Sequence, residues 1–196
     1  MTDREWDKRL RIRTTGREDE ANANYSPYEP TPYSVLERLA DSGLIRRRDR
    51  LLDYGCGKGR VAFFMAEAVG CAVTGIDHSR KLIDIARENR RTARAGDRVV
   101  LTCCLAEQYE PVSENAFFFF NPFSEKVFEG VLRRLRERWY LAPEALTLFC
   151  YYPSEEYIAC LESMPELRSV ANIDCGDLFN GNNPRETIAV YAFPGR

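Results

Sequence analysis

From Arg50 onward, short apolar runs alternate with segments of helical periodicity, and this alternation narrows the fold more than any other feature of the chain. L-L-D-Y (51–54) precedes a helical segment at 58–69, C-A-V-T-G-I (71–76) precedes one at 79–94, R-V-V-L-T-C-C (98–104) follows, and A-F-F-F-F (116–120) precedes 124–139. A-L-T-L-F-C-Y-Y (145–152) and a helix capped by Ser154 come next. Strands covered on both faces by crossover helices read as continuous apolar runs, whereas strands with one wet face alternate. The pattern therefore predicts a doubly wound α/β domain, with a mostly parallel sheet and helices on both faces. Beyond Met164 the rhythm changes to a strand near 167–173, a Gly- and Asn-rich loop (176–186) and T-I-A-V-Y-A-F (187–193), with no helix between. Two successive strands without a crossover are most simply antiparallel neighbours at the end of the sheet.

The 196 residues, 44% hydrophobic and 30% charged, fit one compact domain able to bury a sizeable core. Residues 1–30 are polar, charge-mixed and punctuated by Pro27 and Pro30, which predicts a flexible N-terminal arm ahead of a domain at 31–196. Order is expected to begin with Thr31 as a helix N-cap, Pro32 in the first turn, and Gly43 as the stop. No stretch reaches the ~18 apolar residues of a membrane helix, and the charged start lacks a signal-peptide core, so the expectation is a soluble cytoplasmic protein without a membrane partner. Seven cysteines without a C-x-x-C pair, beside a single histidine, point to thiols packed as small hydrophobes and away from disulfides or a metal centre. A net charge of −2 gives no footprint for sequence-independent nucleic-acid binding, and the arginine clusters read as solvated helix faces.

Chemistry enters at the first strand-to-helix turn, D-Y-G-C-G-K-G-R (53–60). Glycines at 55, 57 and 59 let the backbone turn sharply and approach a ligand that a Cβ would push away. Ligands of such sheets sit beyond the carboxyl ends of the strands, where strand order reverses. The second run ends in Asp77, twenty residues after Gly57, where a carboxylate can accept hydrogen bonds from the vicinal hydroxyls of a ribose. Both features indicate a nucleoside-containing ligand. A dinucleotide fingerprint would require glycine at Arg60, which disfavours nicotinamide.

Asp53, Gly55, Gly57 and Gly59 together resemble the motif of the class I S-adenosylmethionine-dependent methyltransferases, an acidic residue followed by G-x-G-x-G. S-P-Y-E-P-T-P-Y-S-V-L-E-R-L (26–39) is similar to the lead-in of a subgroup that contains protein lysine methyltransferases. The resemblance implies a seven-stranded sheet of order 3-2-1-4-5-7-6 with strand 7 antiparallel. It sets Asp53 near the methionine amino group, Gly55 and Gly57 under the cofactor, Asp77 on the ribose, and Tyr28 and Thr31 in a lead-in that folds over the cofactor. His78 flanks the adenine on this reading, while its own surroundings equally allow a surface histidine before a helix capped by Ser79. Where the family carries an aspartate for the adenine amino group, this chain has Leu105, with Glu107 and Gln108 as the nearest polar substitutes.

Asn121-Pro122-Phe123, at the end of the four phenylalanines, resembles the Asn-Pro-Pro-aromatic signature of methyltransferases that modify amino nitrogens. An asparagine oxygen and a neighbouring carbonyl can accept hydrogen bonds from a substrate N–H and orient its lone pair, and Phe123 can stack on a flat substrate. The same residues also read as an ordinary turn with Ser124 capping the next helix. The expectation is methyl transfer from S-adenosylmethionine, leaving S-adenosylhomocysteine, to a nitrogen nucleophile without a metal. A protein side chain is the leading acceptor, with nucleic-acid adenine and a small molecule behind it. A non-catalytic S-adenosylmethionine-binding module is the alternative from another class.

Overall fold

The computed structural model describes residues 1–17, 23–181 and 183–195. Seven strands form one sheet: β1 (Arg50–Tyr54), β2 (Ala72–Asp77), β3 (Val99–Cys103), β4 (Ala116–Phe119), β5 (Leu146–Tyr151), β6 (Arg168–Asp174) and β7 (Thr187–Phe193). The order is β3-β2-β1-β4-β5-β7-β6. The first five strands run parallel, and β7 pairs antiparallel with both β5 and β6. The helices are α1 (Asp3–Leu10), α2 (Tyr33–Asp41), α3 (Arg60–Ala68), α4 (Arg80–Thr92), α5 (Glu125–Leu141) and α6 (Glu155–Glu162). No helix among the described residues is long and apolar enough to cross a membrane.

Two apolar layers cover the sheet, and the four phenylalanines show how one strand feeds both. Phe118 enters the layer built with α1, α2, α3 and α4, whereas Phe117 and Phe119 enter the layer built with α5 and α6. Side chains alternate across a strand, so each ring of the run is assigned its face by position alone. All three are at most 1% exposed, and each contributes about 2–3 kcal/mol by leaving water. The seven cysteines are free thiols, and five of them, Cys56, Cys71, Cys150, Cys160 and Cys175, are buried as the small hydrophobes expected.

The first seventeen residues depart from the expected flexible arm. Thr2 and Glu5 form a capping box that starts α1. Trp6, Leu10 and Ile12 then lie in the core, with Trp6 stacked on Tyr33 at 5.5 Å between centroids. Asp7 accepts hydrogen bonds from Thr14 Oγ1 at 2.7 Å and Tyr33 Oη at 2.6 Å. Residues 18–22 of the expected arm lie outside the described residues. A second difference is small: Pro32, not Thr31, stands at the N-cap of α2, and no side chain caps that helix. Thr31 is instead buried, and its carbonyl accepts from Arg60 Nη1 at 3.2 Å.

The chain leaves β1 for β2 on one side, while β4 lies on the other, so strand order reverses between β1 and β4. Crevices open at the carboxyl ends of the strands at such a point.

Candidate functional site

A cleft of about 560 Å³ opens there, lined by residues from the 25–32 segment, the 53–56 turn, the ends of β2, β4 and β5, and Phe179 and Glu186 from the last loop. Asp53 is 2% exposed, and its Oδ2 has no hydrogen-bond partner among the described residues. Burial, with the charge of Asp77 adding, pushes its carboxyl up to about 8. The following turn is made possible by positive φ at Gly55 (74°) and Gly57 (53°), a region that side chains disfavour. A Cβ on Gly55 would come within 2.4 Å of Pro122 Cβ, and one on Gly57 within 2.2 Å of the Tyr28 ring. Thus the glycines here allow the 25–28 and 121–123 segments to close on the turn.

Asp77 is held by that turn. Its Oδ2 accepts from the Gly57 amide at 2.8 Å and its Oδ1 from the Ser79 amide at 2.8 Å. Burial raises its carboxyl, opposed by these two amides. His78 Nδ1 lies 3.4 Å from Oδ1 as well, so the carboxylate is tied to the turn through its own neighbours while it lines the cleft. His78 follows and also lines the cleft, stacked on Tyr25 with centroids 4.2 Å apart.

Asn121 stands at the carboxyl end of β4 and lines the cleft, in a left-handed conformation (φ 40°) that few side chains tolerate. Its Nδ2 donates to the Tyr152 carbonyl at 2.6 Å, which fixes the amide, and its buried Oδ1 is left without a partner among the described residues. Tyr152, opposite, also has positive φ (52°). Sparsely populated backbone of this kind collects where surrounding structure imposes it, often at functional sites.

Other sequence-based expectations need correction. Phe123 lines the cleft but is 4% exposed, with its ring packed among Tyr54, Phe119 and Phe128. The Pro122 carbonyl, expected to face a substrate, accepts from the Ser26 amide at 3.1 Å. Ser124 is the N-cap of α5 yet makes no side-chain cap. Leu105 packs into the core layer beside α5, and neither it nor Glu107 lines the cleft, whereas Cys104 and Ala106 do. Glu107 instead accepts from Tyr25 Oη at 2.5 Å. Tyr28 does line the cleft, its ring against Gly57 and its hydroxyl donating to the Thr14 carbonyl at 2.7 Å.

Arg60 is the residue that sequence reasoning undervalued. Although 2% exposed, it lines the cleft, with Nε on Thr14 Oγ1 at 2.8 Å, Nη1 on Asp3 Oδ2 at 2.7 Å, and its plane 4.4 Å from the Tyr33 centroid. Its buried Nη2 is unpartnered among the described residues. Phe120, Tyr151, Tyr152, Phe179 and Glu186 also line the cleft. The T-D-R-E capping box was the readable signal for the docked N-terminus; Glu186 carried no local signal.

Comparison with known proteins agrees with this geometry. Residues 51–138 match the family model of a methyltransferase domain. A 27-O-demethylrifamycin SV methyltransferase of Amycolatopsis mediterranei is 33% identical over 116 residues, covering 57% of this chain and 38% of that protein. A histone-lysine N-methyltransferase specific for H3 lysine-79, from Dictyostelium discoideum, is 40% identical over 63 residues, or 32% of this chain and 3% of that one. The chain thus matches well under two thirds of the length of these curated relatives. Among solved structures, an RNA methyltransferase from Salinibacter ruber in complex with S-adenosyl-L-homocysteine superimposes with a TM-score of 0.62 at 18% identity, covering 86% of this chain and 95% of that one. A TehB-like SAM-dependent methyltransferase from Corynebacterium glutamicum gives 0.57 at 17% identity, covering 82% and 88%. Sheet order, glycine turn and matched domain define a Rossmann-like methyltransferase domain. Residues 51–138 thus match a methyltransferase domain family, the sheet has the strand order of the class I S-adenosylmethionine-dependent methyltransferase fold, and S-adenosylmethionine is the cofactor of that family.

The residues present fit that cofactor. A buried, unpartnered Asp53 oxygen calls for a cation such as an α-ammonium, and a buried, unpartnered Arg60 nitrogen calls for an anion such as an α-carboxylate.

Proposed function

We propose that the chain transfers a methyl group from S-adenosylmethionine to an amino or amide nitrogen, with a protein side chain as the acceptor. The cofactor supplies an electrophilic methyl group on a sulfonium. The chain's own residues bind, orient and exclude water. Asp53 and Arg60 would hold the amino-acid end and Asp77 the ribose. Asn121 would align the acceptor.

One observation carries the nitrogen reading: the Asn121 amide is fixed by Tyr152, which leaves a buried acceptor oxygen facing no donor of its own. A substrate N–H satisfies such an oxygen, and donating that hydrogen turns the nitrogen lone pair away from Asn121 and toward the methyl group. The histone-lysine relative and the 26–39 lead-in support a protein acceptor. A small molecule is the second reading, favoured by relatives such as the 27-O-demethylrifamycin SV methyltransferase. Incubation with methyl-labelled S-adenosylmethionine and host lysate, followed by fractionation and hydrolysis, tests both. N-methylated amino acids in the protein fraction support the proposal; label confined to nucleic acid or small molecules, or base-labile O-methyl label, overturns it.

A further inference from the structure

The seat beside His78 already holds an aromatic ring, that of Tyr25. The ring is 8% exposed and stacks on His78 at 4.2 Å with an interplanar angle of 30°. Its hydroxyl donates to Glu107 Oε2 at 2.5 Å and accepts from the Ala106 amide at 3.1 Å. One donor and one acceptor at the edge of a flat ring is also what adenine offers, with its amino group beside a ring nitrogen. Asp77, the carboxylate that lines the same cleft, immediately precedes His78. The chain therefore satisfies, with its own side chain, groups that match a nucleobase.

We propose that Tyr25 is a displaceable occupant of the nucleobase seat, and that the adenine of the cofactor must expel it to bind. The inference rests on the cleft being the S-adenosylmethionine site.

Expulsion would reach the acceptor side as well. Tyr25 forms an antiparallel bridge with Phe123, the Ser26 amide donates to Pro122 O at 3.1 Å, Ser26 Oγ to Asn121 O at 2.7 Å, and the Ser124 amide to Asn24 O at 2.9 Å. The strip Asn24–Ser26 thus occupies the nucleobase seat with a side chain and the Asn121–Pro122 carbonyls with its hydrogen bonds. Withdrawal of the strip frees both, so arrival of the cofactor exposes the acceptor turn. Apparent affinity in such an arrangement is the intrinsic affinity reduced by the fraction of molecules with the seat open.

His78 is the sole histidine, so its ring signals in an NMR spectrum are unambiguous. In the ligand-free protein a cross-relaxation signal between the His78 and Tyr25 rings is expected, and saturation with S-adenosylhomocysteine should abolish it. Tyr25→Phe keeps the ring but removes both hydroxyl hydrogen bonds, so it should tighten S-adenosylhomocysteine and adenosine about tenfold. A signal that persists in the saturated complex, or a Tyr25→Phe protein that binds equally or more weakly, overturns the proposal while leaving the cofactor site in place. Failure of the wild type to bind S-adenosylhomocysteine at all would overturn the cofactor reading and the proposal with it. The wild-type NMR measurement decides the matter even where the variant does not fold.

Discussion

Asp53→Asn should make this protein more stable and less able to bind its cofactor. The folded-state carboxyl keeps its proton up to about pH 8, whereas an unperturbed one loses it near 3.8. Across that window the folded chain binds more protons than the unfolded chain, so wild-type stability falls as pH rises. At 1.36 kcal/mol for each pH unit, the upper bound on this cost at pH 8 is roughly 5–6 kcal/mol. Relaxation and entry of water reduce such penalties, so the expected gain of Asp53→Asn at pH 8 is about 1–3 kcal/mol. The advantage should shrink toward pH 4 and vanish below the unfolded value of 3.8, where the wild-type carboxyl is protonated in both states. Binding should move the other way: without a carboxylate opposite the α-ammonium, S-adenosylhomocysteine affinity should fall by about 3 kcal/mol, roughly 150-fold. For the wild type, affinity should strengthen between pH 6 and pH 8, as the carboxylate form becomes easier to reach. Urea unfolding at pH 5 and pH 8.5, with calorimetric titration at each pH, measures both effects. Equal stabilities at both pH values, together with undiminished binding by the variant, would refute the reasoning.

Two further substitutions probe other parts of the account. Gly57→Val places a branched side chain at φ 53° and its Cβ within 2.2 Å of the Tyr28 ring, so the turn must distort; S-adenosylhomocysteine binding should be lost, and a variant that titrates like wild type would refute the placement of this turn. Trp6→Ala should cost about 3 kcal/mol in urea unfolding, because the ring is packed against Tyr33 and Phe64; a change below 0.5 kcal/mol would return the N-terminal segment to a loosely held arm.

The sheet was legible because its information is local. Apolar runs of strand length separated by helical periods specify a parallel core, and the missing helix between the last two strands marks the antiparallel pair. Strand ends then place Asp53, Asp77 and Asn121 around one crevice with no knowledge of their contacts. What escaped is contact information. Arg60 reads as an intruder in a glycine pattern, yet it is buried by Asp3, Thr14 and Tyr33, which are 57, 46 and 27 positions away. Phe123 looked available to a substrate because nothing local shows that Tyr54, Phe119 and Phe128 surround it. The N-terminal segment seemed mobile because its charges dominate its composition, while a few apolar residues on α1 and one capping box were enough to dock it.

The most direct test compares labelled methyl transfer by the wild type and by Asn121→Ala, at S-adenosylmethionine concentrations that saturate both. Asn121 is assigned to aligning the acceptor and not to holding the cofactor, so the variant should bind S-adenosylmethionine as the wild type does. Its transfer rate should drop by about 100-fold, the scale of lost alignment. An Asn121→Ala protein that binds normally and transfers at the wild-type rate would contradict the account.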